Sequence, residues 1–478
     1  MKKLLYLFLA LTVACSSGDD STENNDTTPP VITLIGSANV SVNQGDNYID
    51  EGATATDNVD GDLTSSISVS GNVDTATIGN YTLTYSVSDS SGNSASAIRN
   101  IVIIQPFGCA NGEVVYLDAN GVTIKACPDA QIGQTGEVNG ITYTIVDEAT
   151  LRQMVQNGED VTRLCTSKVT NMQALFWKGF DNNGQLIFND FNQVISSWDV
   201  GNVTNMGAMF LAANVFNQPL NDWDVSNVTT MGGMFGSAHS FNQPLNNWVT
   251  SNVIEIDQMF NAAESFNQNI NDWDVSSVES MHSSFRYATS FNQPLNDWNT
   301  SNVTIMNEMF SNASSFNQPL NNWNVGNVTQ MQEMFFSASS FNQSINNWDV
   351  SNVTIMDRMF GGAHSFNQPL NNWDVSNVEN MSVMFGGAES FNQNINGWDV
   401  SNVEDMQSMF SYASSFNASL SDWNVINVVD MDYMFSNADS FNQDLSLWNV
   451  DNVTECSFFD LNTPQWTQPK PNFTNCTP

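Results

Sequence analysis

Three aspartates in Asp57-Asn58-Val59-Asp60-Gly61-Asp62 are the residues best suited to chemistry in this chain. Asp57, Asp60 and Asp62 offer closely spaced hard oxygen ligands, the kind Ca²⁺ takes. The same residues also form turns by bonding their own backbone. Calcium is the one cofactor the sequence points to. A second acidic series arises by repetition. Asp224 has an equivalent in each repeat, at Asp199, Val249, Asp274, Asn299, Asn324, Asp349, Asp374, Asp399, Asn424 and Asn449. With Trp223 and Val225 pointing inward, alternation turns Asp222, Asp224 and Ser226 outward. Asp349, Asp374 and Asp399 are consecutive and would stand about 4.8 Å apart. Like charges that close repel, so the row is either a solvated acidic face or a ladder of cation sites. Asp224, Asp274, Asp349, Asp374 and Asp399 are therefore the candidate binding face. Arg286 with Tyr287, and Ser411 with Tyr412, mark a second candidate surface at the variable tips.

Catalytic chemistry finds little support. His239 and His364 occupy one repeat position five units apart, about 24 Å at strand spacing, and cannot share a metal. His282 has no partner. There is no glycine-rich phosphate loop, no GxSxG and no HExxH. The chain reads as a non-enzyme.

Besides Cys15 there are five cysteines, an odd number. Cys456 and Cys476 flank the C-terminal tail, and a bridge there would staple its end. Cys127 and Cys165 bracket a compact segment and form the second expected pair. Cys109–Cys127 is the rival, which would leave Cys165 free. Zinc is disfavoured, since no CxxC or HxxxH spacing occurs.

The elements that position these residues follow from composition and period. The chain has 478 residues and 50 acids against 11 bases, a formal net charge of −39. Nucleic-acid binding needs Lys and Arg to release counterions, so no nucleic-acid partner is expected. A basic docking patch for anionic lipid is equally absent. Lys2 and Lys3 precede an apolar stretch, Leu4 to Val13, of signal-peptide length and too short to span a bilayer. Leu11-Thr12-Val13-Ala14-Cys15 resembles a bacterial lipobox, with Thr12 where Leu is usual, and implies Cys15 as the lipidated residue. Ser16-Ser17-Gly18-Asp19-Asp20 resembles the surface-export signal of Bacteroidetes lipoproteins. Residues 1–14 are thus read as a signal peptide and 15–30 as a lipidated flexible tether. The lipid anchor is the expected membrane contact, and the expected location is the exposed face of the bacterial outer membrane.

Residues 31–104 alternate as half-buried strands do, most clearly at Tyr81-Thr82-Leu83-Thr84-Tyr85-Ser86-Val87. With Gly45-Asp46, Gly79-Asn80-Tyr81 and Asp89-Ser90-Ser91-Gly92-Asn93, they resemble the immunoglobulin-like domains of bacterial surface proteins. That resemblance implies a β-sandwich used as a spacer or adhesive module.

From Phe191 the chain repeats at a period of 25, with Trp at 198, 223, 248 and so on in step to 448. A diverged first turn lies at Val169-Thr170-Asn171-Met172 with Leu175-Phe176, and a nine-residue insertion separates it from the rest. One unit reads Phe216-Asn217-Gln218-Pro219-Leu220 through Ser240. Leu220, Trp223, Val225 and Val228 follow LxxLxLxxL spacing, a strand segment. Val228, Met231, Met234, Phe235 and Ala238 follow helical spacing, with Ser226 or Asn227 placed to cap. Each unit is expected to be a strand, a helix and a loop, stacked to bury Trp, Met and Phe in a solenoid. The Asn of each Phe-Asn is expected to form a buried ladder between loops. The fold expected is multidomain: an immunoglobulin-like β-sandwich at 31–104, a leader at 105–190, an α/β leucine-rich-repeat-like solenoid of about eleven units at 191–455, and a C-terminal cap at 456–478.

The FNQPLNxWDVSNVTxMxxMF pattern resembles the BspA-like, DUF285 type of leucine-rich-repeat surface protein. Its usual leader is matched by Leu117-Asp118-Ala119-Asn120-Gly121-Val122-Thr123-Ile124-Lys125, Cys127-Pro128-Asp129 and Cys165-Thr166-Ser167. The resemblance implies a surface repeat protein, in some members an adhesin, with no catalytic residues to carry over. The repeats hold 27 acids and two bases, Arg286 and Arg358. A protein partner at the acidic face would thus be basic or held through calcium. The expected partner is an extracellular protein or glycan. A ligand-free structural spacer and a glycan-binding accessory protein of the outer membrane are the alternatives.

Overall fold

The structure is a computed structural model that describes residues 26–104, 109 and 112–478. The expected signal peptide, Cys15 and the tether as far as residue 25 lie outside the described residues. The chain divides into two compact units, at 107/108.

In the first unit, alternating residues build two sheets. One orders β1 (Val31–Leu34), β3 (Ala53–Asp57) and β4 (Gly61–Asp62). The other orders β2 (Asn39–Asn43), β7 (Ser94–Ile104), β6 (Gly79–Ser88) and β5 (Ser68–Ser70). Strands β2 and β7 run parallel and the remaining pairs antiparallel. Leu83, Tyr85, Ile101 and Ile103 are buried between the sheets, with Ile32, Leu34, Val42 and Ala53 packed on them. Arg99 is 1% exposed in this core. It pairs with Asp50 and donates to the Gly52 carbonyl at 3.1 Å. The Tyr85 hydroxyl also donates to Asp50, at 2.6 Å. Burial and the Asp50 carboxylate push Tyr85 up to about 12.

The second unit opens with the leader. β8 (Val115–Leu117) pairs with β9 (Ile124–Ala126). β10 (Thr135–Val138) and β11 (Ile141–Ile145) form a hairpin closed by Asn139 and Gly140, both at positive φ, as a two-residue Asn-Gly turn requires. α1 (Glu148–Gln156) begins at Asp147, whose carboxylate accepts from the Thr150 amide at 2.8 Å. β12 (Leu164–Cys165) runs parallel to β11. Leu151 of α1 and Leu164 join the core of the repeats.

The repeats are stacked in register, but the helix expected in each is not formed. Among the described residues, α1 is the one α-helix, joined by a short 3₁₀ turn at Thr64–Ser66. The 231–238 stretch is instead a run of tight turns. The amides of Met231, Gly233, Phe235 and Ser237 donate to carbonyls of the next unit, at Glu255, Asp257, Met259 and Asn261. The intervening amides of Met234, Gly236 and Ala238 close local turns on the carbonyls of Met231, Gly233 and Phe235. Positive φ at Gly233 and Ser237 reverses the chain between these bonds. A helix would turn every amide inward on its own segment, so it cannot coexist with this pattern. The spacing misleads because a string of tight turns also brings Met231, Met234, Phe235 and Ala238 to one side. The expected strand is likewise replaced, by turns closed at Leu220–Trp223 and Val225–Val228. Parallel bridges run between single residues, through Asn205, Thr230, Glu255 and onward to Glu455.

Stacking forms three aromatic columns. Phe235 and Phe260 lie 5.7 Å apart, Phe241 and Phe266 6.1 Å, and Trp323 and Trp348 6.4 Å, all with nearly parallel rings. The first two columns touch, with Phe235 and Phe241 at 4.0 Å. From Trp223 onward each indole N–H of the column donates to a carbonyl of the preceding unit, as Trp323 does to Leu295 at 2.8 Å. At the far end Trp466 stands edge-on to Phe441 at 4.7 Å and Phe473 edge-on to Phe459 at 5.0 Å. The Cys456–Cys476 disulfide holds this tail. The other disulfide joins Cys109 to Cys127, and Cys165 is a buried thiol. The expected Cys127–Cys165 pair is therefore corrected. Although both sit in one small core, the Cys165 thiol faces the Ile124 carbonyl and the Ser167 hydroxyl, each at 3.4 Å.

Two measurements test this packing. Trp323→Ala removes a mid-array ring and its hydrogen bond, and should cost about 3–5 kcal/mol in denaturant unfolding. Asp430 tests the bridge column, where Asp405, Asp430 and Glu455 follow one another. Burial pushes the Asp430 carboxyl above its usual 3.8, and Asp405, Asp432 and Glu455 push it further, against a bond from the Asp432 amide. A raised folded-state pKa contributes stability that is fully present below the unfolded pKa and is lost as pH rises through the folded one. Asp430→Asn should thus raise Tm at pH 7, and the gain should vanish near pH 4.

Candidate binding face

The outward aspartates are positioned by the turn that follows each tryptophan. Trp223 and Val225 are buried, while Asp224 between them and Asp222 before them are exposed. Asp224, Asp274, Asp349, Asp374 and Asp399 all lie exposed at one repeat position, as their register requires. Each carboxylate accepts the amide of the Ser two positions on, at 3.0–3.1 Å. At Asp224, Asp349 and Asp374 the Ser hydroxyl also donates, at 2.6 Å. These Ser donors, hydroxyl and amide together, hold the Asp274 and Asp374 carboxyls below the usual range. The row is thus engaged as turn formers. Asp199, the first member, is buried at 6% exposure. Its carboxylate accepts from the Ser167 hydroxyl and the Gly201 amide.

Asn side chains run in two further rows. Asn217 Oδ1 accepts the Asn242 amide and Gln243 Nε2, both at 3.0 Å, and the pattern recurs along the array. This row is half-buried to exposed, not buried. Asn227, expected near a helix start, instead donates to the Gly201 carbonyl of the preceding unit at 2.7 Å. Asn352, Asn377 and Asn402 do the same.

Where the leader meets the acidic face, an open hollow of about 280 Å³ is lined by Asn120, Asp222, Asp224, Asn247 and Val249 among others. Asn120 donates to the Asp222 carbonyl there, at 3.3 Å. At the variable tips, Arg286 pairs with Glu308 at 2.9 Å and lies over the Tyr287 ring. Tyr412 is 62% exposed. The histidines remain apart in their contacts. His239 lies against Phe188, the His282 amide donates to Asp257, and His364 lies 3.4 Å from Glu389.

The nine-residue insertion holds a feature that sequence reasoning passed over. Phe180 bridges Leu186, and Asp181 accepts the Asn183 and Gln185 amides, making a small turn. Trp177 meets the Phe180 ring edge-on at 5.5 Å, and Phe188 lies 5.3 Å from His239. Phe180 and Phe188 are 57% and 49% exposed, with Val194 and Val215 also exposed. The buried Trp177 indole nitrogen has no hydrogen-bond partner among the described residues. The longer step from Met172 to Met206 was the available signal, because it breaks the period.

The three aspartates expected to hold calcium do not converge. Asp57 Oδ1 accepts the Val59 and Asp60 amides at 2.8 and 2.9 Å. Asp60 instead accepts the Ser90 amide and hydroxyl, and Asp62 the Thr64 amide. Asp57 lies with Asp26 and Asp89 instead. Spacing within one loop missed this, since one partner precedes β1 and the other follows β6.

Among the described residues, no helix is long and apolar enough to cross a membrane. No curated protein matches the chain. A matching solved structure is the lipoprotein BT2262 from Bacteroides thetaiotaomicron, 22% identical over 18% of this chain and 43% of that one. Its TM-score is 0.16, so the likeness carries no argument, and the match spans under half of that protein. Residues 32–103 match the model described as bacterial surface protein, Ig-like domain. Four overlapping matches, at 147–273, 245–339, 320–413 and 393–474, are to one further model, and the chain belongs to its family, described as Mycoplasma protein of unknown function, DUF285.

Proposed function

We propose that this is a non-catalytic, lipid-anchored surface protein of the bacterial outer membrane, whose stacked repeats form a solenoid that binds an extracellular protein. The observation that carries the reading is the exposure of two aromatics in the insertion, Phe180 edge-on to Trp177 and Phe188 against His239. The array otherwise sends its repeated Trp, Met and Phe into the core. Aromatic residues, Phe included, are enriched in protein interfaces over the rest of the surface. Phe180 and Phe188 also sit where the repetition breaks, which is where a specific site is distinguished from a scaffold. The match of residues 32–103 to a bacterial surface protein Ig-like domain supports surface display.

The long acidic row would steer a basic partner and tune its on-rate more than its affinity. A second reading, a spacer with no ligand of its own, is favoured by the near-identity of the units and by aspartates already engaged with their own Ser donors. A glycan ligand is the remaining alternative, with the aromatic rings as a stacking platform.

Immobilised full chain, tested against extracellular-matrix proteins and a glycan array, separates these readings. The proposal expects saturable binding to a protein, weakened at least tenfold by Phe180→Ser with Phe188→Ser. Asp349→Lys with Asp374→Lys and Asp399→Lys should instead slow association and reduce its salt dependence. Glycan hits alone would replace the protein partner. No saturable binding to either would leave the spacer.

A further inference from the structure

We propose that Asp26, Asp57 and Asp89 form a calcium site that ties the incoming chain to two loops of the immunoglobulin-like unit. One carboxylate oxygen from each lies within 4.8 Å of the others. Ca²⁺ binds oxygens at 2.3–2.6 Å, so opposed ligands stand up to about 5 Å apart. The three come from separate places: ahead of β1, at the end of β3, and just after β6.

Each carboxylate is held by donors that orient it. Asp26 Oδ1 accepts the Thr28 amide at 3.0 Å. Asp57 Oδ1 accepts the two amides of its own loop. Asp89, 7% exposed, accepts the Asn93 amide on one oxygen and Asn93 Nδ2 on the other, both at 2.8 Å. Asn93 Nδ2 also donates to the Asp26 carbonyl at 2.9 Å, locking two of the three segments together.

What remains is oxygen without a donor. Asp26 Oδ2 and Asp57 Oδ2 are shut off from solvent and have no hydrogen-bond partner among the described residues. A buried carboxylate oxygen left bare is costly, and three such groups at close range repel one another. The described residues of this unit supply no free counter-charge. Between residues 26 and 104 the single base is Arg99, and it is committed to Asp50 and the Gly52 carbonyl. A divalent cation would satisfy both bare oxygens and the charge. Ca²⁺ fits better than Mg²⁺, which demands a tighter octahedron and keeps most of its waters.

The test is calorimetric titration of CaCl₂ into the chelator-stripped full chain, with melting followed in parallel. The proposal expects one equivalent bound at submillimolar Kd, with Tm rising in calcium. Asp57→Asn and Asp26→Asn should each weaken binding at least tenfold and remove the calcium-dependent rise. Both should melt in EDTA within about 2 °C of the parent, which shows that they fold. Asp62→Asn, in the same loop but outside the cluster, should bind as the parent does. A flat trace to about 10 mM calcium would overturn the proposal. So would binding that survives both variants, or that disappears in Asp430→Asn, which would place the ion with Asp430, Asp432 and Glu455.

Discussion

Every second amide between Met231 and Ser237 donates to a carbonyl of the next unit, and the same bonds recur unit after unit. This division of the backbone between neighbours and local turns is the constraint on which the repeats depend. It requires constant spacing within the bonded stretch, because a residue gained or lost there would move every later donor off its acceptor; the nine-residue insertion lies outside that stretch and leaves the Met172, Ala174 and Phe176 amides on the carbonyls of Asn205, Gly207 and Met209. It requires reversals within each unit, which place non-glycine residues such as Glu308, Arg358, Val383 and Tyr433 at positive φ. Left-handed backbone costs about 1–2 kcal/mol for such residues. The bonds to the next unit, and the rings stacked behind them, offset that cost only while the neighbour is present.

The side chains follow from the backbone. Equivalent residues fall in columns, so one choice of Phe or Trp is repeated as a stack rather than as an isolated contact. The indole nitrogens, buried with the rings, are satisfied by carbonyls of the preceding unit. Asn217 and Asn227 serve the polar edge in the same way, each bonding across one unit boundary. The ends need different chemistry. Leader residues reach the first tryptophan, where Trp198 donates to the Val161 carbonyl at 3.0 Å. At the other end Trp466 and Phe473, held by a disulfide, cover rings that have no further neighbour. Such capping is what a quasi-linear array requires.

The sequence makes the period, the burial of Trp223 and Val225 and the outward row of Asp224 directly legible, because each is a matter of repetition or alternation. The strands of the immunoglobulin-like unit are legible for the same reason. The turn structure of 231–238 is not, since inward residues three and four apart arise equally from a helix or from consecutive turns. Only the fate of each amide separates them, and that depends on the neighbouring unit. The pairing of Cys127 and the company of Asp57 are hidden by the same non-locality. Phe180 and Phe188 were visible as aromatics in an insertion, but their exposure depends on a turn that the period does not describe.

The account of the stack stands or falls on the register between units. Removing residues 316–340, one whole unit, should leave every remaining donor facing its acceptor and every column continuous. The shortened chain should keep cooperative unfolding, with a Tm only a few degrees lower. Removing 316–327 instead should break the register on one side of the cut and abolish cooperative melting of the repeats. Equal tolerance of both deletions, measured side by side by calorimetry and circular dichroism, would contradict the account.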